Sequence, residues 1–401
     1  MEVQRTIRAY LIVNTLFCVS HSFIASSYMI FLLGAGLDQF QANLVNVVFY
    51  FGVVFFEIPT GVVADVFGRR ISVLISIGLM MISFFLYGAS DDMLGFMLAE
   101  LIGAIALTFE SGAFSAWVVD EIKGHGYEES TDKLFAREQV YTSFASIGGV
   151  LVGGVLFDLN RSYAWWCGGV LLFFTLIIAC FLMKELHFDR KVSDILGKVN
   201  QSLEILKFSF KYLKKSREVR FLIVVGASLS LALQVPNMFW QPIFVGETSN
   251  SKGLSLIWVG VLLTIIAGGK LAPAFRKKLR SDRKAIIVLN IFIGIGIFVL
   301  ICTNSLWIML TGFLFHELAR AMSAPLRTKY LHDNVPSKQR ATLISFESLF
   351  RTLGGVVGLM IFGLIAELEG YTLPFLLSGA IVILISVVYF LKNGFNEKTT
   401  G

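Results

Sequence analysis

The chain has 401 residues, of which 56% are apolar and only 15% charged, with a mean hydropathy of +0.74. A soluble globular chain carries about 45–50% apolar and about 25% charged residues, and one with this composition would expose apolar patches larger than a monomer tolerates. The net charge of +6 therefore does not describe a soluble nucleic-acid-binding face, and the chain reads as an all-α, polytopic membrane protein.

Taken in chain order, apolar runs bounded by charges predict twelve transmembrane helices, near residues 7–33, 43–64, 71–89, 93–122, 135–158, 163–183, 219–244, 255–275, 284–302, 305–331, 340–367 and 371–391. The first is too long for a cleavable signal, holds Asn14 and His21, and has no small-residue cleavage site after a short apolar core. With the amino terminus in the cytoplasm, only Arg161 and Lys252 of the 34 lysines and arginines fall in outside loops. Lys270, Arg320 and Arg351 fall inside spans, and all the others lie in cytoplasmic segments or at the cytoplasmic ends of spans. That asymmetry is a strong positive-inside signal and places both termini in the cytoplasm. The outside loops carry Asp38, Asp91, Asp92, Asp158, Glu247, Glu367 and Glu369 instead. Cys18, Cys167, Cys180 and Cys302 all lie inside spans and read as small buried hydrophobes. No metal-ligand spacing, zinc-protease pattern or phosphate-binding glycine loop is present, so neither metal nor cofactor nor ATP is expected.

The longest hydrophilic stretch divides the chain into a bundle of six spans (1–183), a cytoplasmic linker (184–218) and a second bundle of six (219–401). Within the linker, residues 192–213 carry apolar side chains at helical spacing among lysines, which suits either a helix on the membrane surface or a plain tether. The halves repeat one another. Gly61-Val-Val-Ala-Asp65-Val-Phe-Gly68-Arg69-Arg70 between spans 2 and 3 aligns with Gly269-Lys-Leu-Ala-Pro273-Ala-Phe-Arg276-Lys-Lys between spans 8 and 9. At nearly the same offset, Glu110 aligns with Glu317 and Gly148-Gly149 with Gly354-Gly355.

The Gly61-x-x-x-Asp65-x-x-Gly68-Arg69-Arg70 loop after span 2 resembles the signature loop of the major facilitator superfamily, over a chain whose span count and central loop also match. Residues 56–61 (Phe-Glu-Ile-Pro-Thr-Gly), with Ser111-Gly112, Ala116-Trp117 and Asp120 in span 4, are similar to bacterial members described as drug or metabolite exporters. The resemblance implies two pseudo-symmetric six-helix bundles in a plasma membrane, by expectation a bacterial inner membrane. It implies a latch in which Asp65 approaches the start of span 11 near Arg340, while Arg69 or Arg70 pairs with Asp120, favouring the outward-open state. In the second copy Pro273 and Arg276 replace the Asp and Gly, so no matching latch is expected. It further implies that spans 1, 4, 7 and 10 line a central cavity, offering Asn14, His21, Ser22, Ser26 and Tyr28 from span 1 and Gln234, Asn237, Trp240 and Gln241 from span 7. Pro236 and Pro242 would bend span 7. His21 reads either as a titrating group or as a side chain bonded to a neighbouring helix.

Ionisable side chains at membrane depth are costly and mark function. Glu57, Glu100 and Glu110 have no opposite charge on their own helices, and an isolated carboxyl in low dielectric exchanges a proton. Glu110 is the first proton-coupling candidate and Glu57 the second, followed by Glu100 and Glu317. Glu317 and Arg320 are three apart and Glu347 and Arg351 four apart, so each pair shares a helix face. The two pairs read either as one neutral network linking spans 10 and 11, or as a site where substrate or proton competes for Glu317 and frees Arg320. The expected activity is secondary active transport by alternating access, as proton-coupled export of a cationic, zwitterionic or neutral amphipathic molecule. Span 5 has the Gly148-Gly149 and Gly153-Gly154 pairs but lacks the Gly-Pro step of drug–proton antiporters, which leaves proton-coupled uptake of a nutrient or siderophore-like metabolite as the alternative. A membrane sensor or enzyme is remote, since neither a large soluble domain nor a nucleophile–base arrangement is present. The expected partners are a small-molecule substrate and the lipid bilayer, with no nucleic acid and no obligate protein.

Overall fold

The computed structural model describes residues 2–188, 216–248, 251–335 and 340–397, without the side chains of 340–342 and 392–397. The expected surface helix at 192–213 lies outside the described residues. Span 1 is formed by α1 (Glu2–Ser22) and α2 (Tyr28–Gly34), span 2 by α3 (Gln39–Phe67) and span 3 by α4 (Arg69–Ala89). Span 4 is α5 (Met93–Glu110) followed by α6 (Ala113–Gly124), span 5 is α7 (Asp132–Leu159) and span 6 is α8 (Tyr163–Leu182). Spans 7 to 12 are α9 (Arg217–Thr248), α10 (Ser251–Leu279), α11 (Asp282–Ile301), α12 (Leu306–Asn334), α13 (Arg340–Glu369) and α14 (Thr372–Glu397).

Among the described residues, ten of these segments are long and apolar enough to cross a membrane. Spans 1 and 10 fall short for different reasons. Span 1 is interrupted by a turn at 23–27, and α12 carries His316, Glu317, Arg320 and Arg327. The interruption of span 1 has a local cause. Ser20 and Ser22 bond back to the carbonyls of Leu16 (3.0 Å) and Cys18 (2.7 Å), and His21 Nδ1 to that of Phe17 (2.9 Å), competing with the helical ladder. Span 4 breaks at Ser111-Gly112, where Gly112 takes a left-handed φ of 73°. Broken backbone at membrane depth persists only where protein or a watery cavity satisfies it.

The chain forms two compact units. The first comprises the described residues of Met1–Leu37, Val45–Gln201 and Thr248–Trp258, the second those of Asp38–Leu44, Ser202–Glu247 and Val259–Gly401. The boundaries thus differ from a plain division into halves by the exchange of two short segments. Inside each unit the repeat has a packing meaning. In the first, Gly149 and Gly153 of α7 sit against Val19, Ser22 and the backbone of Phe23, where α1 ends at the break in span 1. In the second, Gly354 and Gly358 of α13 sit against the backbone carbonyls of Ala227 and Leu231 in α9. Helices approach this closely only where the side chain is absent. Gly148 faces open space, which yields a contrast. Gly153→Leu is expected to cost about 3 kcal/mol or more through overpacking, seen as a lowered melting temperature and loss of monodisperse protein in detergent. Gly148→Ala is expected to leave both unchanged.

The reading of the cysteines as buried is corrected: all four are free, Cys18 and Cys167 are half-buried, and Cys180 and Cys302 are exposed on the protein surface.

Candidate functional site

A cavity of about 360 Å³ lies within the first unit, walled by His21, Tyr28, Asn46, Phe49, Phe84, Tyr87, Glu100 and Trp165. Its chemistry follows from where the helices start and stop. Asp92 caps α5 by accepting from the Gly95 N–H at 2.7 Å, which sets the helix that carries Glu100 about 10 Å into the membrane at 1.5 Å per residue. Tyr28 is the first residue of α2, so the turn that interrupts span 1 aims its ring at Glu100. The Tyr28 hydroxyl donates to Glu100 Oε1 at 3.0 Å and lies 3.2 Å from the Tyr87 hydroxyl, while Asn46 Nδ2 donates to it at 2.9 Å. A phenol has one proton. With that proton given to Glu100, Tyr28 accepts from Asn46, and the Tyr87 hydroxyl beside both has its one proton for Tyr28 or for Glu100, so the donors converge on the carboxylate.

Aromatic faces surround this carboxylate. Tyr87 stacks on Trp165 with ring centroids 4.0 Å apart and planes 8° from parallel, and Phe84 meets Trp165 edge to face at 5.1 Å. No lysine or arginine lines the cavity among the described residues. His21 contributes an acceptor: its Nδ1 must carry the hydrogen bonded to the Phe17 carbonyl, which leaves Nε2 of the neutral ring with a lone pair.

The other expected residues of the first unit separate into two groups. Asn14 is buried and donates to Glu138 Oε1 at 2.9 Å, and Tyr10 donates to Glu138 Oε2 at 2.6 Å. Glu138 was missed because it follows Arg137 near the cytoplasmic end of span 5, where a carboxylate reads as part of the rim. Glu110 ends α5 at the break in span 4. It is half-buried, feels the charge of Glu138, and makes no hydrogen bond or ion pair among the described residues. Glu57 is exposed on α3, two residues before Pro59, and likewise unbonded among the described residues. Ser26 bonds Ser255 at 2.9 Å, within the first unit.

In the second unit the buried Glu317 accepts from Arg320 at 3.2 Å, and Arg320 also donates to Asn237 at 2.8 Å. His316 is buried beside them, its Nδ1 3.2 Å from the Phe313 carbonyl and its Nε2 without a hydrogen-bond partner among the described residues. Trp240 stacks on Phe313 at 5.6 Å; Gln241 and Gln234 are buried, the latter donating to the Ser230 carbonyl at 3.2 Å. Of the two readings of Glu317, Arg320, Glu347 and Arg351, the single network is not what the structure has: the four form two clusters, with no bond between them among the described residues. Glu347 takes Arg351 at 3.2 Å and, closer, Arg327 of α12 at 2.6 Å. Sequence position put Arg327 at the cytoplasmic rim. Two turns of α12 beyond Arg320 carry it to Glu347 instead.

Around the signature loop, Arg69 pairs with Asp120. Arg70 turns the other way and donates to the carbonyls of Met183 (2.7 Å) and Cys180 (3.0 Å), closing the end of α8. Glu185 accepts from the backbone N–H groups of Arg69 (2.8 Å) and Arg70 (3.2 Å), capping α4. Gly68 has φ 105°, and a Cβ there would strike the Glu185 carboxylate. Both the turn and the cap therefore require glycine. Gly61 lies one residue past the buried Thr60, and Asp65 is half-buried near the end of α3. The side chain of Arg340 lies outside the described ones.

A family model described as Major Facilitator Superfamily matches residues 10–281 and 277–400. An uncharacterized MFS-type transporter of Bacillus subtilis (strain 168), YxaM, is 24% identical over 371 residues, covering 90% of each chain. Another, MJ1560 of Methanocaldococcus jannaschii, is 21% identical over 381 residues, covering 92% of this chain and 93% of the relative. Among solved structures, the nucleoside transporter NupG superposes with a TM-score of 0.78 at 14% identity, covering 96% of this chain and 98% of that one.

Proposed function

This chain belongs to the major facilitator superfamily, whose members are multi-pass membrane transporters of small molecules rather than enzymes, and on that basis we propose that it exports an organic amine in exchange for protons. The observation that carries this reading is Glu100: a carboxylate among Tyr28, Tyr87 and Trp165, in a cavity without lysine or arginine among the described residues. An ammonium group offers the missing positive charge, and the ring faces add cation–π attraction of about 1 kcal/mol each. A proton satisfies the same carboxylate. Substrate and proton then exclude one another at one site, which is the requirement for exchange. Glu110, without a hydrogen-bond or ion-pair partner among the described residues, is the second proton carrier, and Glu57 lies on the adjacent span. Export from the cytoplasm across the plasma membrane follows the exporter-like sequence of residues 56–61 and of span 4.

The test is uptake into proteoliposomes under an imposed pH gradient, screened with organic amines, neutral nucleosides and organic anions. Amines are expected to move against the proton flow. Gradient-driven transport of anions or neutral compounds alone would overturn the substrate class, and movement with the protons would overturn the direction of coupling.

The signature loop enters as the latch of the transport cycle, held through Arg69–Asp120 and Asp65. Asp65→Asn is expected to slow turnover about tenfold, the effect of about 1.4 kcal/mol on a conformational step, with substrate affinity unchanged. Parallel measurement of transport rate and equilibrium binding checks this.

A further inference from the structure

The cytoplasmic end of span 4 holds a second cluster that transport does not use. Glu121 is 2% exposed, and its Oε1 accepts from the backbone N–H groups of Leu186 (2.8 Å) and His187 (2.9 Å). Its Oε2 lies 3.2 Å from His187 Nδ1. Among the described residues no lysine or arginine pairs with this carboxylate, and its side-chain partner is the His187 imidazole. His125, which caps the end of α6 four residues after Glu121, meets the His187 ring edge to face with centroids 4.6 Å apart. Gly124 makes the approach possible, because a Cβ there would collide with the His187 ring.

We infer that Glu121, His125 and His187 form a binding site for a divalent transition-metal ion of the zinc class on the cytoplasmic face. One carboxylate oxygen and one nitrogen from each imidazole lie within 4.8 Å of one another, a donor set that small adjustments of the two rings bring onto one ion. Two imidazoles and a carboxylate suit zinc-like ions, whereas calcium and magnesium need more oxygens. The two backbone N–H groups on Oε1 fix the carboxylate so that Oε2 faces the histidines, the orienting role that outer partners play at metal sites. His187 is exposed and His125 half-exposed, which opens the site to the cytoplasm and leaves a fourth position for water. Sequence spacing hides it, because His187 arrives from the segment after span 6. That segment also carries Glu185, the cap of α4, and Lys184, whose carbonyl takes the Trp117 indole N–H at 3.1 Å. A bound ion would tie the signature loop's support to α6.

The experiment uses the purified full chain in detergent, free of any affinity tag, titrated with Zn²⁺ by calorimetry and with Co²⁺ by visible absorption. One equivalent is expected to bind, with cobalt giving the intense bands of a tetrahedral site. His125→Ala and His187→Ala are each expected to weaken binding about tenfold or more, and the double variant to abolish it. Should an alanine variant aggregate, His125→Asn with His187→Asn replaces it. The same stoichiometry and affinity in the double variant as in the wild type, or no saturable binding by the wild type, would overturn the site.

Discussion

Glu100→Gln is expected to weaken binding of an organic amine by roughly 100-fold, close to the about 3 kcal/mol lost when one member of a buried charge pair is truncated. The substitution keeps the shape of the side chain and leaves an amide oxygen for the Tyr28 hydroxyl, which donates to Glu100 at 3.0 Å. Only the charge is removed. Tyr28→Phe keeps the charge but deletes the bond that aims it, so a smaller loss, about tenfold, is expected. Trp165 stacks within the cavity wall, and its fluorescence offers a direct titration. Unchanged amine affinity in Glu100→Gln, together with its loss in Glu110→Gln, would move the recognition site to Glu110.

The second large effect concerns stability. Glu347 holds Arg327 at 2.6 Å and Arg351 at 3.2 Å, and the Arg327 side chain is only 14% exposed. Glu347→Gln leaves that guanidinium buried without a counter-charge, at a cost of about 3–5 kcal/mol. A marked fall in melting temperature in detergent is the expected readout. Arg351→Ala should cost about 1 kcal/mol or less, because Glu347 keeps the closer Arg327 as its counter-charge. Arg327→Met combined with Glu347→Leu is expected to regain most of the stability, since both charges leave together. A Glu347→Gln protein as stable as the wild type would show that Arg327 finds water or another acceptor.

Much of the fold was legible because the membrane enforces simple rules. Apolar run length, the distribution of lysine and arginine, and the duplicated glycine pairs each correspond to a physical constraint. The glycines illustrate this with a one-residue shift: the sequence aligns Gly148-Gly149 with Gly354-Gly355, whereas the close backbone approaches fall at Gly149 and Gly153 in one unit and at Gly354 and Gly358 in the other, with Gly148 facing open space. The interruption of span 1 was not legible, because an apolar run does not register three side chains bonding back to their own helix.

The candidate site was legible only in part, and for a related reason. Intramembrane acids stand out singly, so Glu57, Glu100, Glu110 and Glu317 were all named. Their surroundings come from other helices. Nothing in sequence joins Tyr28 to Glu100, Asn14 to Glu138, or Arg327 to Glu347, since each pairing depends on rotation about a helix axis. Rank was affected as well: isolation favoured Glu110, whereas the aromatic walls and hydrogen-bond chain gather around Glu100.

Proton competition at Glu100 is tested most directly by proton release on amine binding, measured in weakly buffered detergent solution with no gradient present. Across a pH series, wild-type protein is expected to release up to about one proton per amine bound, with affinity falling as pH falls. Glu100→Gln is expected to release none. Amine binding by the wild type without proton release at any pH, or equal release from Glu100→Gln, would contradict exchange at this carboxylate.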